Sequence, residues 1–265
     1  LGLFHRGGLQ NRKTGEFAVI PVVLFVLAGE HEGVIGGQND QAALDSDIRQ
    51  CHQGIRRHIQ TDVFHAGDRA PAEPTPLAEH GYTVRQGKLT RHRIENKWLL
   101  ATGKRWVHLY HPPTEAPVPL IVVYDARDYI TRGRITRIVD NLIAQDRIQP
   151  VALALLDNGG PARGIEYSCN DATVGFVTGE VLPLAQEHLQ LINPAGHPGA
   201  YGVLGASMGG LMALYTGLRV PSIFGHVLSQ SGAFEMDNAE TVTVPLVSHM
   251  PVQPLRIWMD VGRYE

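Results

Sequence analysis

The sequence is poor in the features that mark several classes of protein. Its 265 residues include two cysteines, Cys51 and Cys169, too few for a disulfide framework and too far apart for a cysteine metal cluster. The formal net charge of -3 provides no basic field for nucleic acid and no polybasic run for a membrane surface. The longest apolar run, 17–29, falls short of the roughly 20 residues that cross a bilayer. With 43% apolar residues, the chain is expected to form a globular protein. Since its charge favours neither nucleic acid nor a membrane, we expect a small molecule as its partner.

The apolar run near the amino terminus bears on where the protein is located. Arg12 and Lys13 precede it, as in a secretory signal, but Glu16 adjoins the run and Pro21 interrupts it. We therefore interpret the run as a buried strand. A cytoplasmic location is favoured, with secretion as the alternative.

The chain divides near residue 80. The proline-rich segment 70–76 predicts a linker, because such a stretch stays extended and forms no core. Residues 1–80 carry no recognisable chemistry and stay unassigned, with partial disorder as one interpretation, while 81–265 form the predicted domain. Since the sequence begins with Leu1 and stops just after an apolar run, we expect it to lack the carboxyl-terminal end of that domain.

The predicted domain alternates between strand and helix patterns. Strands are predicted at 106–110, 120–124, 151–156, 202–205, 225–229 and 255–261, and helices over 135–144, 171–188 and 208–218. This order predicts an α/β fold with a mainly parallel central sheet and helices on both faces. Ligands of such folds bind at the carboxyl ends of the strands.

One motif at such a strand end carries chemistry. Residues 205–210 read GASMGG and match G-x-S-x-G between a predicted strand and a predicted helix. On the sharp turn that this motif forms, Ser207 would expose its hydroxyl as a nucleophile, and the backbone N–H of Met208 would face a developing oxyanion. The alternative, a glycine-rich turn with an incidental serine, is disfavoured by the flanking strand and helix.

A serine nucleophile needs a second oxyanion donor, which usually comes from the loop after an earlier strand. Here that loop follows 120–124, and the N–H of Arg127 is our candidate. Asp125 and Asp128 are also interpreted as caps of the next helix, which is compatible with this role.

The orienting acid and the base are less directly indicated. Glu265 is preferred as the acid because it lies in the loop past the last strand, and Asp260, inside that strand, is the alternative. After Ser207 the chain holds only His226 and His249, and both precede these acids, against the usual order of serine, acid and histidine. We therefore expect the base beyond residue 265.

Several separated segments resemble the esterase branch of the α/β-hydrolases, which includes enterochelin esterases and feruloyl esterases. They are LIVVYDARDY (120–129), RGIEY (163–167), EVLPLA (180–185), GASMGGLMALYTGLRVPSIFGHVLSQSGAF (205–234) and LRIWMDVGRYE (255–265). The resemblance is strongest to the enterochelin esterase type. It implies the α/β-hydrolase fold, Ser207 as nucleophile, Met208 N–H as oxyanion donor, Glu265 as acid and no cofactor or metal.

Two departures from the family pattern are visible. The family's second donor follows an Asp-Gly pair, which here reads Asp125-Ala126, so the N–H of Arg127 stays the candidate. The family's base lies in a Gly-Gly-His segment, and the sequence contains no such segment.

The sequence thus predicts a serine carboxyl-ester hydrolase that acts on a small-molecule ester, with neither nucleic acid nor membrane as partner. The alternatives are an acyltransferase of the same fold, or a binding domain whose catalytic site is incomplete. Arg163 and Glu166 either line the site or form a structural ion pair, and the ion pair is favoured. The ester itself and the oligomeric state are not indicated.

Overall fold

The computed structural model describes residues 84–99, 103–236 and 239–261. The predictions for 1–80, for the run 17–29, for the linker 70–76 and for Glu265 fall outside these residues. Among the helices that the structure describes, none is long and apolar enough to cross a membrane.

The central sheet has seven strands, and five neighbouring ones run parallel. The strands are β1 (Lys88–Asn96), β2 (Gly103–His111), β3 (Leu120–Tyr124), β4 (Ala152–Leu156), β5 (Tyr201–Ala206), β6 (Phe224–Gln230) and β9 (Arg256–Asp260). Their order across the sheet is β1-β2-β4-β3-β5-β6-β9. The antiparallel pair β1 and β2 forms one side, and β2 also pairs antiparallel with β4. Two further strands, β7 (Glu235–Met236) and β8 (Ala239–Glu240), form a small separate hairpin.

Helices cover both faces of this sheet. They are α1 (Ala126–Thr131), α2 (Ile135–Ala144), α3 (Arg163–Tyr167), α4 (Asp171–Phe176), α5 (Leu182–His188), α6 (Met208–Arg219) and α7 (Thr243–His249). A 3-10 turn (Gly160–Ala162) precedes α3, and a π-helical turn (Val177–Val181) joins α4 to α5. The predicted α/β class with a mainly parallel sheet is confirmed.

Two hydrophobic cores lie on opposite faces of the sheet because the side chains of each strand alternate. In β3, Leu120, Val122 and Tyr124 pack into the core under α4 to α6, whereas Ile121 and Val123 pack under α1 and α2. All five residues of β3 and all five of β4 are buried. This explains why both strands are uninterrupted apolar runs.

The strand order reverses between β3 and β5. The chain leaves β3 for β4 on one side, then returns to form β5 on the other side, where Ile121 pairs with Gly202. The loops after β3 and β5 therefore diverge from neighbouring strand ends and leave a crevice, the usual place for a ligand in such sheets. The turn after β3 leads directly into α1, whose second residue is Arg127, and the turn after β5 carries Ser207.

Candidate active site

Ser207 occupies a strained turn between β5 and α6. Its backbone angles are φ 54 and ψ -122, a region that non-glycine residues rarely adopt. The turn is so tight that a Cβ at Gly205 would overlap the carbonyl oxygen of Gly209. The structure thus shows the strand, sharp turn and helix that the motif predicts, and the Ser207 side chain is exposed at its apex.

Backbone hydrogen bonds hold this turn in place. The N–H of Ser207 donates to the carbonyl oxygen of Gln230 at 2.9 Å, and the carbonyl oxygen of Ser207 accepts from the N–H of Ala233 at 3.1 Å. The same carbonyl accepts the first helical bond, from Leu211 N–H at 3.0 Å. Met208 is consequently the first residue of α6, where an N–H has no intrahelical acceptor and the helix dipole is positive.

The loop after β3 presents a second helix start beside this turn. Asp125 has left-handed angles, φ 59 and ψ 51, and its carbonyl oxygen accepts from Asp128 N–H at 3.0 Å. The N–H groups of Ala126 and Arg127 precede that bond, so neither has an acceptor within α1. Both helix starts lie at the same edge of the sheet because β3 and β5 are parallel neighbours.

The Asp125 side chain does not cap α1, although Asp125 stands at the capping position. It makes no capping hydrogen bond, so the interpretation of Asp125 as a side-chain cap is wrong. Instead, its Oδ1 accepts from Arg163 Nε at 2.8 Å and from Asn158 Nδ2 at 2.6 Å, and its Oδ2 accepts from Arg163 Nη2 at 2.7 Å. The carboxylate is buried, and these hydrogen bonds raise the pKa of Arg163.

Arg163 and Glu166 do not pair with each other, so the predicted ion pair is wrong in its partners. Glu166 binds Arg105 on β2, with both side chains almost fully buried. Each residue instead ties α3 to a different strand end. The sequence could not reveal these partners because Arg105 and Asp125 are far from α3 in the chain.

Sequence analysis missed a buried tyrosine, Tyr129, that bonds to the residue holding Ser207. The hydroxyl of Tyr129 on α1 donates to Gln230 Oε1 at 2.6 Å, at the end of β6. Burial raises the pKa of Tyr129 well above its ordinary value, so the hydroxyl keeps its proton. Tyr129 thereby links α1 to β6, whose last residue, Gln230, also accepts the hydrogen bond from Ser207 N–H.

Of the two candidate acids, the structure describes only Asp260. Asp260 pairs with Gln230 at the end of β9, and its Oδ1 accepts from the N–H of Ser231 at 2.9 Å. Asp260 thus lies at the same edge of the sheet as Ser207, two strands away from β5. The preference for Glu265 over Asp260 stays a prediction.

The two histidines that follow Ser207 are engaged elsewhere. His226 pairs with Gly202, near the amino end of β5, and its Nδ1 donates to the carbonyl oxygen of Gly199 at 3.1 Å. It therefore lies toward the end of the sheet opposite Ser207. His249 is the last residue of α7 rather than part of a loop, and its Nδ1 donates to Pro245 O at 2.9 Å. A base beyond residue 265 stays a prediction.

Comparison with known proteins identifies a family for most of this chain. The family described as "Putative esterase" matches residues 101–265. The iron(III) enterobactin esterase of Dickeya dadantii (strain 3937) is 31% identical over 147 residues, covering 55% of this chain and 32% of that protein. The iron(III) salmochelin esterase of Escherichia coli O6:H1 is 27% identical over 214 residues, covering 75% of this chain and 50% of that protein.

A solved structure agrees with this assignment. The enterochelin esterase of Shigella flexneri has a TM-score of 0.57 and 26% sequence identity, covering 64% of this chain and 44% of that one. The chain spans about a third to a half of the length of these curated relatives. Since the family match covers more than half of the sequence, the chain belongs to this esterase family and has the α/β-hydrolase fold.

Proposed function

We propose that the protein is a serine carboxyl-ester hydrolase of the enterochelin esterase type, with residues 81–265 as its hydrolase domain. The observation that carries this proposal is the strained turn at Ser207 beside a second helix start at Asp125. The two provide an exposed hydroxyl and backbone N–H groups at one sheet edge. This combination suits attack on an ester carbonyl.

In the proposed reaction, the Ser207 hydroxyl oxygen attacks the ester carbonyl carbon while its proton passes to a histidine base. The N–H groups of Met208 and Arg127 stabilise the negative oxygen of the tetrahedral intermediate. The base returns the proton to the departing alcohol, and water then releases the acyl group from Ser207. We assign the acid that orients the base to Glu265, with Asp260 as the alternative, and we infer that the base lies outside the described residues.

The relatives narrow the substrate class. Those described above are named esterases of iron(III) enterobactin and iron(III) salmochelin. We propose a small-molecule siderophore ester of this kind as the substrate, recognised without a cofactor or metal belonging to the protein. Hydrolysis of iron(III) enterobactin, compared with hydrolysis of p-nitrophenyl acetate, tests the substrate separately from the chemistry.

The chemistry itself is tested by replacing the nucleophile. We expect a fluorophosphonate probe to label Ser207, and Ser207→Ala to abolish labelling and lower p-nitrophenyl acetate hydrolysis by about 10³-fold or more. Ser248→Ala is the matched control, because Ser248 is an exposed serine on α7 that bonds its own helix at Val244 O. Peptide mass spectrometry locates the label.

The rivals give different results in the same assays. A binding domain with an incomplete site would leave Ser207 unlabelled and the ester intact. This rival gains weight from His226 and His249, which are both engaged elsewhere. An acyltransferase would be labelled as well, but added alcohols would redirect its acyl product from acid to ester.

A further inference from the structure

The carboxylate of Asp125 stands directly against the start of α6. A Cβ built at Gly209 would lie 3.0 Å from Asp125 Oδ2. Gly209 immediately follows Met208, whose N–H is one of the two proposed oxyanion donors. The buried carboxylate of Asp125 therefore lies beside the position where the proposed reaction forms a negatively charged oxyanion.

Such a charge would oppose the reaction if nothing balanced it. Asp125 is 6% exposed, so little water screens it, and repulsion between like charges is strong in such surroundings. Arg163 supplies the balance through two parallel hydrogen bonds, from Nε at 2.8 Å and from Nη2 at 2.7 Å. This fork-to-carboxylate geometry fixes orientation as well as charge.

The same contacts hold the turn at Asp125 that leads into α1 and its second donor. Asp125 adopts a left-handed conformation that costs a non-glycine residue free energy, so neighbouring contacts have to maintain it. Arg163 and Asn158 donate hydrogen bonds to its side chain. Its backbone N–H donates to the hydroxyl oxygen of Tyr167 at 3.4 Å. The Arg163 guanidinium also lies 5.2 Å from the centre of the Tyr167 ring.

We propose that Arg163 is a positioning residue of the esterase site. It neutralises Asp125 next to the developing oxyanion, and it fixes the loop so that the N–H of Arg127 faces that oxyanion. Arg163 acts through Asp125 and does not itself touch the substrate. The inference rests on the proposed function, since both effects concern the oxyanion.

A set of variants of the full chain tests this role by double-mutant analysis. Arg163→Met is expected to lower kcat for p-nitrophenyl acetate by about 10- to 100-fold, with KM changed by less than about twofold, because the oxyanion forms only after binding. The rate of fluorophosphonate labelling at Ser207 should fall in parallel. Arg163→Lys keeps the positive charge but cannot donate the two parallel hydrogen bonds of the guanidinium, so its decrease in kcat should be intermediate.

The decisive variant combines Arg163→Met with Asp125→Asn. Removing the uncompensated carboxylate should raise kcat by about tenfold relative to Arg163→Met alone. If the two substitutions acted independently, kcat would not recover in this way, so the recovery measures the coupling of Arg163 to Asp125. Arg219→Met is the matched control, because Arg219 forms a similar but exposed pair with Asp171, at 3.0 Å, away from the site. It should leave kcat unchanged.

The outcomes distinguish the positioning role of Arg163 from the proposed ester hydrolysis at Ser207. If the parent chain labels and hydrolyses normally, while folded Arg163→Met keeps its kcat or the double variant shows no recovery, the positioning role is wrong and the function stands. A parent protein that includes the proposed base and is neither labelled nor active overturns the function, and the inference with it. Circular dichroism verifies folding, and Arg163→Lys decides the matter if Arg163→Met does not fold.

Discussion

At the scale of single residues, backbone strain recurs at the candidate site. Of the six non-glycine residues with positive φ in the described part of the chain, three directly follow neighbouring parallel strands: Asp125 after β3, Ser207 after β5 and Ser231 after β6. Such conformations cost on the order of 1–3 kcal/mol each and persist where surrounding contacts enforce them. The sequence signals this strain only at Ser207, through its flanking glycines. Nothing in the local sequence marks Asp125 or Ser231.

Two buried hydroxyl groups offer a contrasting prediction about stability. Ser229 and Thr216 are both fully buried, but Ser229 Oγ has no hydrogen-bond partner among the residues that the structure describes. Ser229→Ala should therefore leave the free energy of unfolding unchanged or raise it by up to about 1 kcal/mol, because an unsatisfied polar atom is removed. Urea denaturation measures the change.

Thr216→Val is the matched comparison. Thr216 Oγ1 lies 2.7 Å from the hydroxyl of Tyr124 and donates to Met212 O at 2.8 Å. Its loss should lower the free energy of unfolding by about 1–3 kcal/mol, because it breaks satisfied buried hydrogen bonds. A larger loss for Ser229→Ala than for Thr216→Val would contradict the assignment.

At the scale of elements, the sequence located buried strands well and exposed ones poorly. The predicted strand 120–124 and helix 135–144 match β3 and α2 residue for residue. β1 lies at the edge of the sheet, and every second residue along it is exposed. Its sequence is therefore mostly polar and lacks the apolar run that identifies a buried strand. α7 was missed because its β-branched residues and Pro245 are weak helix formers.

The predicted helix over 171–188 is continuous but irregular. A π-helical turn, Val177–Val181, interrupts it just before Pro183. Proline has no N–H and its ring clashes with the carbonyl four residues earlier, so a regular helix is disfavoured there. Residue periodicity predicts the extent of this helix, whereas the turn follows from the single proline.

The start of this helix permits a prediction about capping. The Asn170 side chain accepts a hydrogen bond from Ala172 N–H at 2.9 Å, as an N-cap does. Asn170→Ala should lower the free energy of unfolding by about 1 kcal/mol, while Asn170→Asp, which keeps an acceptor, should leave it nearly unchanged. Equal losses in both variants, measured by thermal unfolding, would refute the capping role.

At the scale of the whole molecule, three histidines make stability depend on pH. Burial lowers the pKa of His92, His111 and His226 below the ordinary value of 6.5. The folded state thus binds fewer protons than the unfolded state near that pH, so acidification favours unfolding. We expect the melting temperature to fall as the pH drops from about 7.5 to about 5.5.

The charged surroundings of these histidines reinforce the effect. Lys88 and His188 further lower the pKa of His111, and Arg256 that of His226, whereas Glu187 opposes the shift of His92. Burial raises the pKa of Asp140, which acts in the opposite direction at lower pH, so the measurement stays above about pH 5.5.

Variants attribute this pH dependence to particular rings. Thr90 Oγ1 lies 2.9 Å from His92 Nε2 and 3.0 Å from His111 Nε2, so these two rings form one cluster. The double variant His92→Gln and His111→Gln should flatten the dependence. His249→Gln, at an exposed position, should not. A melting temperature that is constant or rises on acidification would contradict the prediction.

The pairing of β3 with β5 also determines when the site can form. Ile121 and Gly202 are separated by on the order of eighty residues, and contacts across such a loop are entropically costly and slow to form. During synthesis, Asp125 and Arg163 leave the ribosome long before Ser207. The complete candidate site is thus a late product of folding, and the nascent chain exposes the unpaired side of β3 until β5 arrives.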